Sequence, residues 1–168
     1  SKIVSEEIND EAVKLQKKLF DSVGLNNVEL KNLNYLKEDF SRELDLIISQ
    51  PPIGVRIFPK DIGLLDWESE SQRRMDVEQA YLIKSVEKLR EGGILVGIVT
   101  PNILFSRTNQ KLRNFLKKNM EILSIIETPK NVYNKFNRHA AILIMRKKCS
   151  NLKNVDSVIM ASFNDYNI

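Results

Sequence analysis

The residues of this chain best suited to chemistry are amides, carboxylates and prolines. Gln50-Pro51-Pro52-Ile53 directly follows an apolar run, Leu44–Ser49. Neither proline has an N–H to donate and both rings stiffen the backbone, so the carbonyls there are fixed acceptors beside the Gln50 amide. An amide oxygen and a backbone carbonyl together accept both hydrogens of an exocyclic amino group and leave its nitrogen lone pair free to attack. The same four residues also suit a rigid turn at a strand end. Glu7 ends the first strand-like segment just before a helical one. A carboxylate there can accept from both hydroxyls of a ribose, or it can simply complement the positive end of the helix dipole. Asn34, after the next extended segment, suits an adenine edge or a turn.

The rest of the inventory narrows the chemistry. The 168 residues hold one histidine, His139, and one cysteine, Cys149, which excludes a disulfide framework and a zinc cage of four His/Cys ligands. His139, at the small apolar start of a strand, reads as structural. No metal is expected. The chain is 42% hydrophobic and 29% charged, the composition of a soluble globular domain, and its net charge of +4 is a mild lean toward polyanions. Ser1–Asp10 carries three acids and no long apolar core, so no secretory leader is expected. Gly92–Phe105, the most apolar stretch, is too short to span a bilayer and contains Pro101. A cytoplasmic protein with no membrane partner follows.

The elements that position these residues alternate between strand and helix. Lys2–Ile8 and Asn27–Leu33 read as strands. Between them, Asp10–Val23 places Ala12, Val13, Leu15, Leu19, Phe20 and Val23 on one helical face, with Asn9 or Asp10 as cap and Gly24 as stop. Leu44–Ser49 is apolar enough for a parallel strand buried on both faces. Arg56–Arg74 reads as a long loop. Asp76–Arg90 reads as an amphipathic helix ended by Gly92-Gly93, with Val77, Ala80, Tyr81, Ile83, Val86 and Leu89 inward. Ile94–Thr100, Glu121–Glu127 and Ala140–Arg146 follow as strands, with a basic helix over Asn109–Asn119 and a weak strand at Val155–Ala161. This alternation predicts an α/β domain with a mainly parallel sheet, whose ligands bind beyond the carboxyl ends of the strands. Glu6-Glu7, Ser49–Ile53 and Thr100-Pro101-Asn102 lie at such ends.

In this order the pieces resemble the class I S-adenosylmethionine-dependent methyltransferases, and among them the N6-adenine DNA methyltransferases, including type I modification subunits. KIVSEEINDEAVKLQKKLF is similar to the family's second strand and helix, and VELKNLNYL to its third strand. DLIISQPPIG is similar to the stretch carrying the catalytic Asn/Asp-Pro-Pro-aromatic tetrapeptide. LIKSVEKLREGGILVGIVTPNILFS and IIETPKNVYNKFNRHAAILIMRKK match later helices and strands. The resemblance implies a Rossmann-like methyltransferase fold with an antiparallel last strand, incomplete at its N-terminus, over residues 1–148, followed by an extension over 149–168. It implies a cofactor site at Glu7, Ile8 and Asn34 and a catalytic site at Gln50, Pro51, Pro52 and Ile53. Arg56, Tyr133, Phe136 and Arg138 are implied as nucleic-acid contacts. The reaction implied is methyl transfer to the amino group of an adenine flipped from DNA, in a restriction-modification setting.

Three departures shape these expectations. Gln50 stands for Asn or Asp and extends the amide by a methylene; Ile53 replaces the stacking aromatic; and no GxG occurs. The family's first strand and glycine-rich loop, which cradle the methionine end of the cofactor, have no counterpart here. The chain is therefore expected to be a fragment that binds S-adenosylmethionine weakly or not at all, with a second copy or another chain able to fill the central strand. The departures also suit an inactive methyltransferase-like binding module, and the same device serves enzymes that methylate RNA or protein glutamine.

Overall fold

A computed structural model of the chain describes residues 2–38, 43–67, 73–129, 139–152 and 155–163. It divides into two compact units, residues 1–39 and 40–168. The first holds strand β1 (Ile3–Glu7), helix α1 (Asp10–Ser22) and strand β2 (Val28–Asn32). β1 and β2 pair in parallel, with Ile3 opposite Val28 and Glu7 opposite Asn32. Two parallel neighbours need a crossover, and α1 supplies it. Asn9 starts the helix: its Oδ1 accepts from the N–H groups of Glu11 (2.9 Å) and Ala12 (3.2 Å), two of the donors a helix start leaves unpaired. Gly24 follows the last turn at φ +72°, a left-handed conformation that suits glycine.

The second unit is a five-stranded sheet in the order β3-β6-β8-β7-β9, formed by β3 (Leu44–Ser49), β6 (Leu89–Val99), β7 (Met120–Glu127), β8 (Ala141–Lys147) and β9 (Ile159–Ser162). β3 and β6 are parallel, β7 and β9 are parallel, and β8 runs antiparallel to both of its neighbours, β6 and β7. The expected Rossmann-like α/β class, with one reversed strand, is the fold observed. Helix α2 (Val77–Lys88), the short α3 (Asn102–Phe105) and α4 (Gln110–Asn119) complete the unit. Its core lies between the sheet and α2 and α4, where Leu82, Ile83, Leu95, Val99, Leu112 and Met145 are fully buried. Among the described residues no helix is long and apolar enough to cross a membrane.

Four local readings are corrected. β3 is not buried on both faces: Leu46 is 53% and Ile48 70% exposed, because among the described residues of its unit the Ile47 side packs inward and β6 alone pairs with it. The stretch after the prolines is more ordered than a loop. It contains a ribbon of β4 (Arg56–Ile57) with β5 (Met75–Asp76) and two 3₁₀ turns, Pro59–Ile62 and Leu65–Trp67. Gly92-Gly93 does not end α2, which stops at Lys88. Gly93 lies inside β6, where a Cβ would come within 3.0 Å of the Leu44 carbonyl oxygen, so it is needed for the close approach of β3. On α1, Leu15, Leu19 and Val23 are exposed, and the half-buried face is Ala12, Val13, Gln16 and Phe20.

Candidate active site

In the first unit, Glu7 ends β1, and Asn34 stands two residues past the end of β2. The pairing continues one step beyond the strands, with Leu33 N–H donating to the Glu7 carbonyl (3.1 Å), so both residues reach the same carboxyl edge. Glu7 Oε1 accepts from Asn9 N–H (2.8 Å). A carboxylate has about four acceptor positions, so this bond leaves capacity for a pair of hydroxyls. Ile8, beside it, is 66% exposed, which an apolar residue offered to a flat ring would be. Asn34 Oδ1 accepts from Leu36 N–H (3.0 Å) and closes a turn. The turn reading of Asn34 therefore holds, and its Nδ2 remains the group able to meet a ligand.

In the second unit β3 ends at Ser49, opposite Gly97 of β6, and Gln50 follows, exposed, at the carboxyl edge. Pro51 is fully buried, Pro52 is exposed, Ile53 is half-buried, and Gly54 turns the chain at φ +78°. Burying the first proline fixes the backbone under Gln50, whereas the second faces outward with the turn. The Ser49 hydroxyl is buried with no hydrogen-bond partner among the described residues. The ribbon then returns the chain to α2. Val77 N–H donates to the Val55 carbonyl (2.9 Å), and Arg56 lies 3.3 Å from Asp76 and donates to the Arg74 carbonyl (3.1 Å). Arg56 is thus tied into the ribbon.

A second strand end meets the same edge. β6 finishes at Val99, and Thr100 is held by a buried carboxylate: Glu78 Oε1 accepts from Thr100 N–H (2.6 Å) and Oε2 from its hydroxyl (3.0 Å). Burial raises the Glu78 pKa above its ordinary value of 4.5; the Thr100 bonds oppose that shift and the Asp76 carboxylate adds to it. Beyond the turn, buried Asn109 donates to the Asn102 carbonyl (2.8 Å) and accepts from Gln79. α2 therefore clamps the start of the Thr100–Phe105 segment, directly at Thr100 and through Asn109 at Asn102. Phe105 is 78% exposed at the close of α3. Sequence reading singles out Thr100-Pro101-Asn102 and misses Glu78, whose partner lies 22 residues away, and Phe105, which its apolar neighbours disguise as core.

The remaining expected residues divide. Tyr133, Phe136 and Arg138 lie outside the described residues. His139 Nδ1 lies 3.2 Å from the Thr128 carbonyl, where Thr128 and Ala140 exchange hydrogen bonds across the entry to β8, in keeping with a structural role. Among the described residues no group of three or more His, Cys, Asp or Glu could hold a metal ion.

A mainly parallel sheet with one reversed strand, ending in a Gln-Pro-Pro turn, defines a domain of the Rossmann-like methyltransferase class. Residues 2–166 match the N-6 DNA Methylase family model, and the chain belongs to that family. It is 28% identical over 138 residues to the type II methyltransferase M.BanIII of Aneurinibacillus aneurinilyticus, covering 70% of this chain and 23% of that protein. A putative class I S-adenosylmethionine-dependent methyltransferase from Listeria monocytogenes superposes with a TM-score of 0.84 at 19% identity, over 98% of this chain and 50% of that one. The modification subunit of a putative type I restriction enzyme from Vibrio vulnificus YJ016 gives 0.69 at 20% identity, over 88% of this chain and 33% of that one. The chain thus spans a quarter to a half of the M.BanIII and Listeria proteins.

Proposed function

We propose that this chain carries the amino-group-binding half of a DNA adenine-N6 methyltransferase that uses S-adenosylmethionine in a restriction-modification system. The observation that supports it most is the exposed Gln50 amide at the carboxyl edge, on a backbone fixed by buried Pro51. Gln50 Oε1 and the Pro51 carbonyl accept the two N–H bonds of the target amino group, so that its lone pair points away from the protein. Positioning of this kind supplies most of the rate in a direct transfer, and about 1 Å of misplacement costs about 100-fold. Ile53 cannot stack on the base; Phe105, exposed at the same edge, offers a ring that can.

The residues present fit the nucleoside half of the cofactor. Glu7 retains acceptor capacity for the ribose hydroxyls, Ile8 is exposed beside it, and Asn34 stands on the neighbouring strand end. When bound, S-adenosylmethionine supplies an electrophilic methyl group on a sulfonium. The methionine half has no glycine-rich cradle in these 168 residues, since no GxG occurs. We assign that half to a polypeptide segment that pairs along the edge of β3 not used by β6, from flanking sequence, a second copy or a partner. The extension after residue 148 is taken as part of the same domain's periphery. Arg56, Tyr133, Phe136 and Arg138 remain the proposed DNA contacts.

The test is transfer of a labelled methyl group to duplex DNA by the chain with its native flanking sequence. Gln50→Ala is expected to lower the rate about 100-fold, and Gln50→Asn to retain it. Equal rates for wild type and Gln50→Ala overturn the assignment. Incorporation into RNA or a protein glutamine, and none into DNA, moves the substrate to those classes.

A further inference from the structure

We propose that the outward face of α4 is a docking surface for the phosphate backbone of duplex DNA. The proposal rests on the reading that DNA is the substrate and adds where the duplex lies. From Gly92 to Met120 the chain has no Asp or Glu, and this stretch holds Arg107, Lys111, Arg113, Lys117 and Lys118. On α4 the exposed positions are Gln110, Lys111, Asn114, Lys117 and Lys118, a continuous helical face of cations and amides. Leu112 and Leu116 turn inward and are buried.

Charge elsewhere is mixed: Lys2, Lys14, Arg56, Arg90 and Arg146 each pair with a carboxylate. Among the described residues no carboxylate pairs with any of the five cations of the 107–118 stretch. Dipole compensation accounts for Lys117 and Lys118 in the last turn of α4. It does not account for Lys111 or Arg107. They stand at the positive end, where cations are unfavourable and the first turn holds no acid.

Part of the face is organised in advance. Lys111 Nζ sits 4.8 Å above the Trp67 ring and donates to the Asp66 carbonyl (2.5 Å), and Trp67 packs edge-on against Phe115 of α4 (5.4 Å). Arg113 donates to the carbonyls of Ile103 (3.2 Å) and Ser106 (2.6 Å) and to Gln110 Oε1 (2.7 Å), locking α3 to the start of α4. Lys148 donates to the Lys117 carbonyl (2.8 Å) and brings another cation to the far end. The face therefore begins beside the edge where β3 and β6 end and runs away from it. Its outward positions carry no apolar residue. A protein partner would ordinarily need an aromatic or aliphatic anchor, whereas phosphates need only cations and amide donors.

The experiment is a salt titration of binding to a duplex of arbitrary sequence, without cofactor, using the chain with its native flanking sequence. Each phosphate contact contributes about 0.9 to the slope of log affinity against log salt. Lys111→Gln/Lys117→Gln/Lys118→Gln is expected to lower that slope by about 2 to 3 and the affinity at low salt at least about 10-fold. Lys117→Arg/Lys118→Arg retains both, and Lys14→Gln/Lys18→Gln on α1 changes neither. A wild-type slope in the triple variant overturns the proposal, as does binding of polyglutamate but not of duplex. The slope is read without cofactor, so it does not depend on methyl transfer. Loss of the slope effect with methylation intact therefore sinks this surface alone. The slope effect without methylation by any variant leaves the surface standing and removes the methyl-transfer reading.

Discussion

β3 and β6 are parallel neighbours with similar sequences, LDLIIS and ILVGIV, and both end in a proline turn at one edge. Their surroundings differ. β6 has a strand on each side, its alternate residues Leu95, Gly97 and Val99 are buried, and Glu78 ties down the residue that follows it. β3 has one partner among the described residues, exposes Leu46 and Ile48, and is followed by the exposed Gln50. The same local chemistry thus yields a scaffold strand in one place and a presenting strand in the other. The difference is made by neighbours, so substitutions in the two strands should fail in different ways.

The largest effect is expected in the scaffold. Leu95→Ala in β6 removes a fully buried side chain and should cost about 2–5 kcal/mol in a urea melt, whereas Ile48→Ala in β3 should stay near 0.5 kcal/mol. Equal losses would mean that β3 is covered in solution and would end the contrast. Gln50→Ala inverts the pattern, with the melt unchanged and methyl transfer down about 100-fold. Calorimetry of the 168-residue chain with S-adenosylmethionine is expected to show weak or no binding, because the open side of β3 lacks a cradle. A micromolar Kd would show that the chain supplies one.

How much of this could be read from residue order depends on range. The alternation of strands and helices, the Asn9 cap and the Pro-Pro turn are local, and periodicity and side-chain chemistry expose them. The family resemblance extended that reading to the fold class. From its own residues the open side of β3 was not legible, because an apolar run records the environment it suits and not whether its neighbours are present; it was the family strand missing from the resemblance that pointed to it. Nor was the Glu78–Thr100 clamp legible, since nothing in either residue's own neighbourhood points to the other. Gly93 misled for a related reason. A glycine needed for the approach of β3 looks the same as one that ends a helix.

The clamp gives the end of β6 a pH dependence. Burial raises the Glu78 pKa, so the folded chain holds that proton more tightly than the unfolded chain, whose value is near 4.5. Stability from this group is therefore unimpaired below that value and falls as pH rises through the folded pKa. Between about pH 4 and pH 7, wild type should lose stability relative to Glu78→Gln, as read by urea melts at both pH values. A difference that stays constant across that range would mean that the Thr100 bonds fully offset desolvation.

The smallest expected effect lies at the other strand end. Ser49 is aligned with Gly97, and its hydroxyl is buried without a partner among the described residues. An unsatisfied buried hydroxyl costs free energy, so Ser49→Ala should be neutral or should stabilise the chain by about 1 kcal/mol. If the hydroxyl has no part in turnover, methyl transfer should be unchanged. If Ser49→Ala gains stability but loses rate, the hydroxyl is reserved for a bond that forms only with substrate in place, and β3 would present two groups rather than one. A loss of stability would instead show that the hydroxyl is paired in solution. The contrast between the two strand ends would then rest on Gln50 alone.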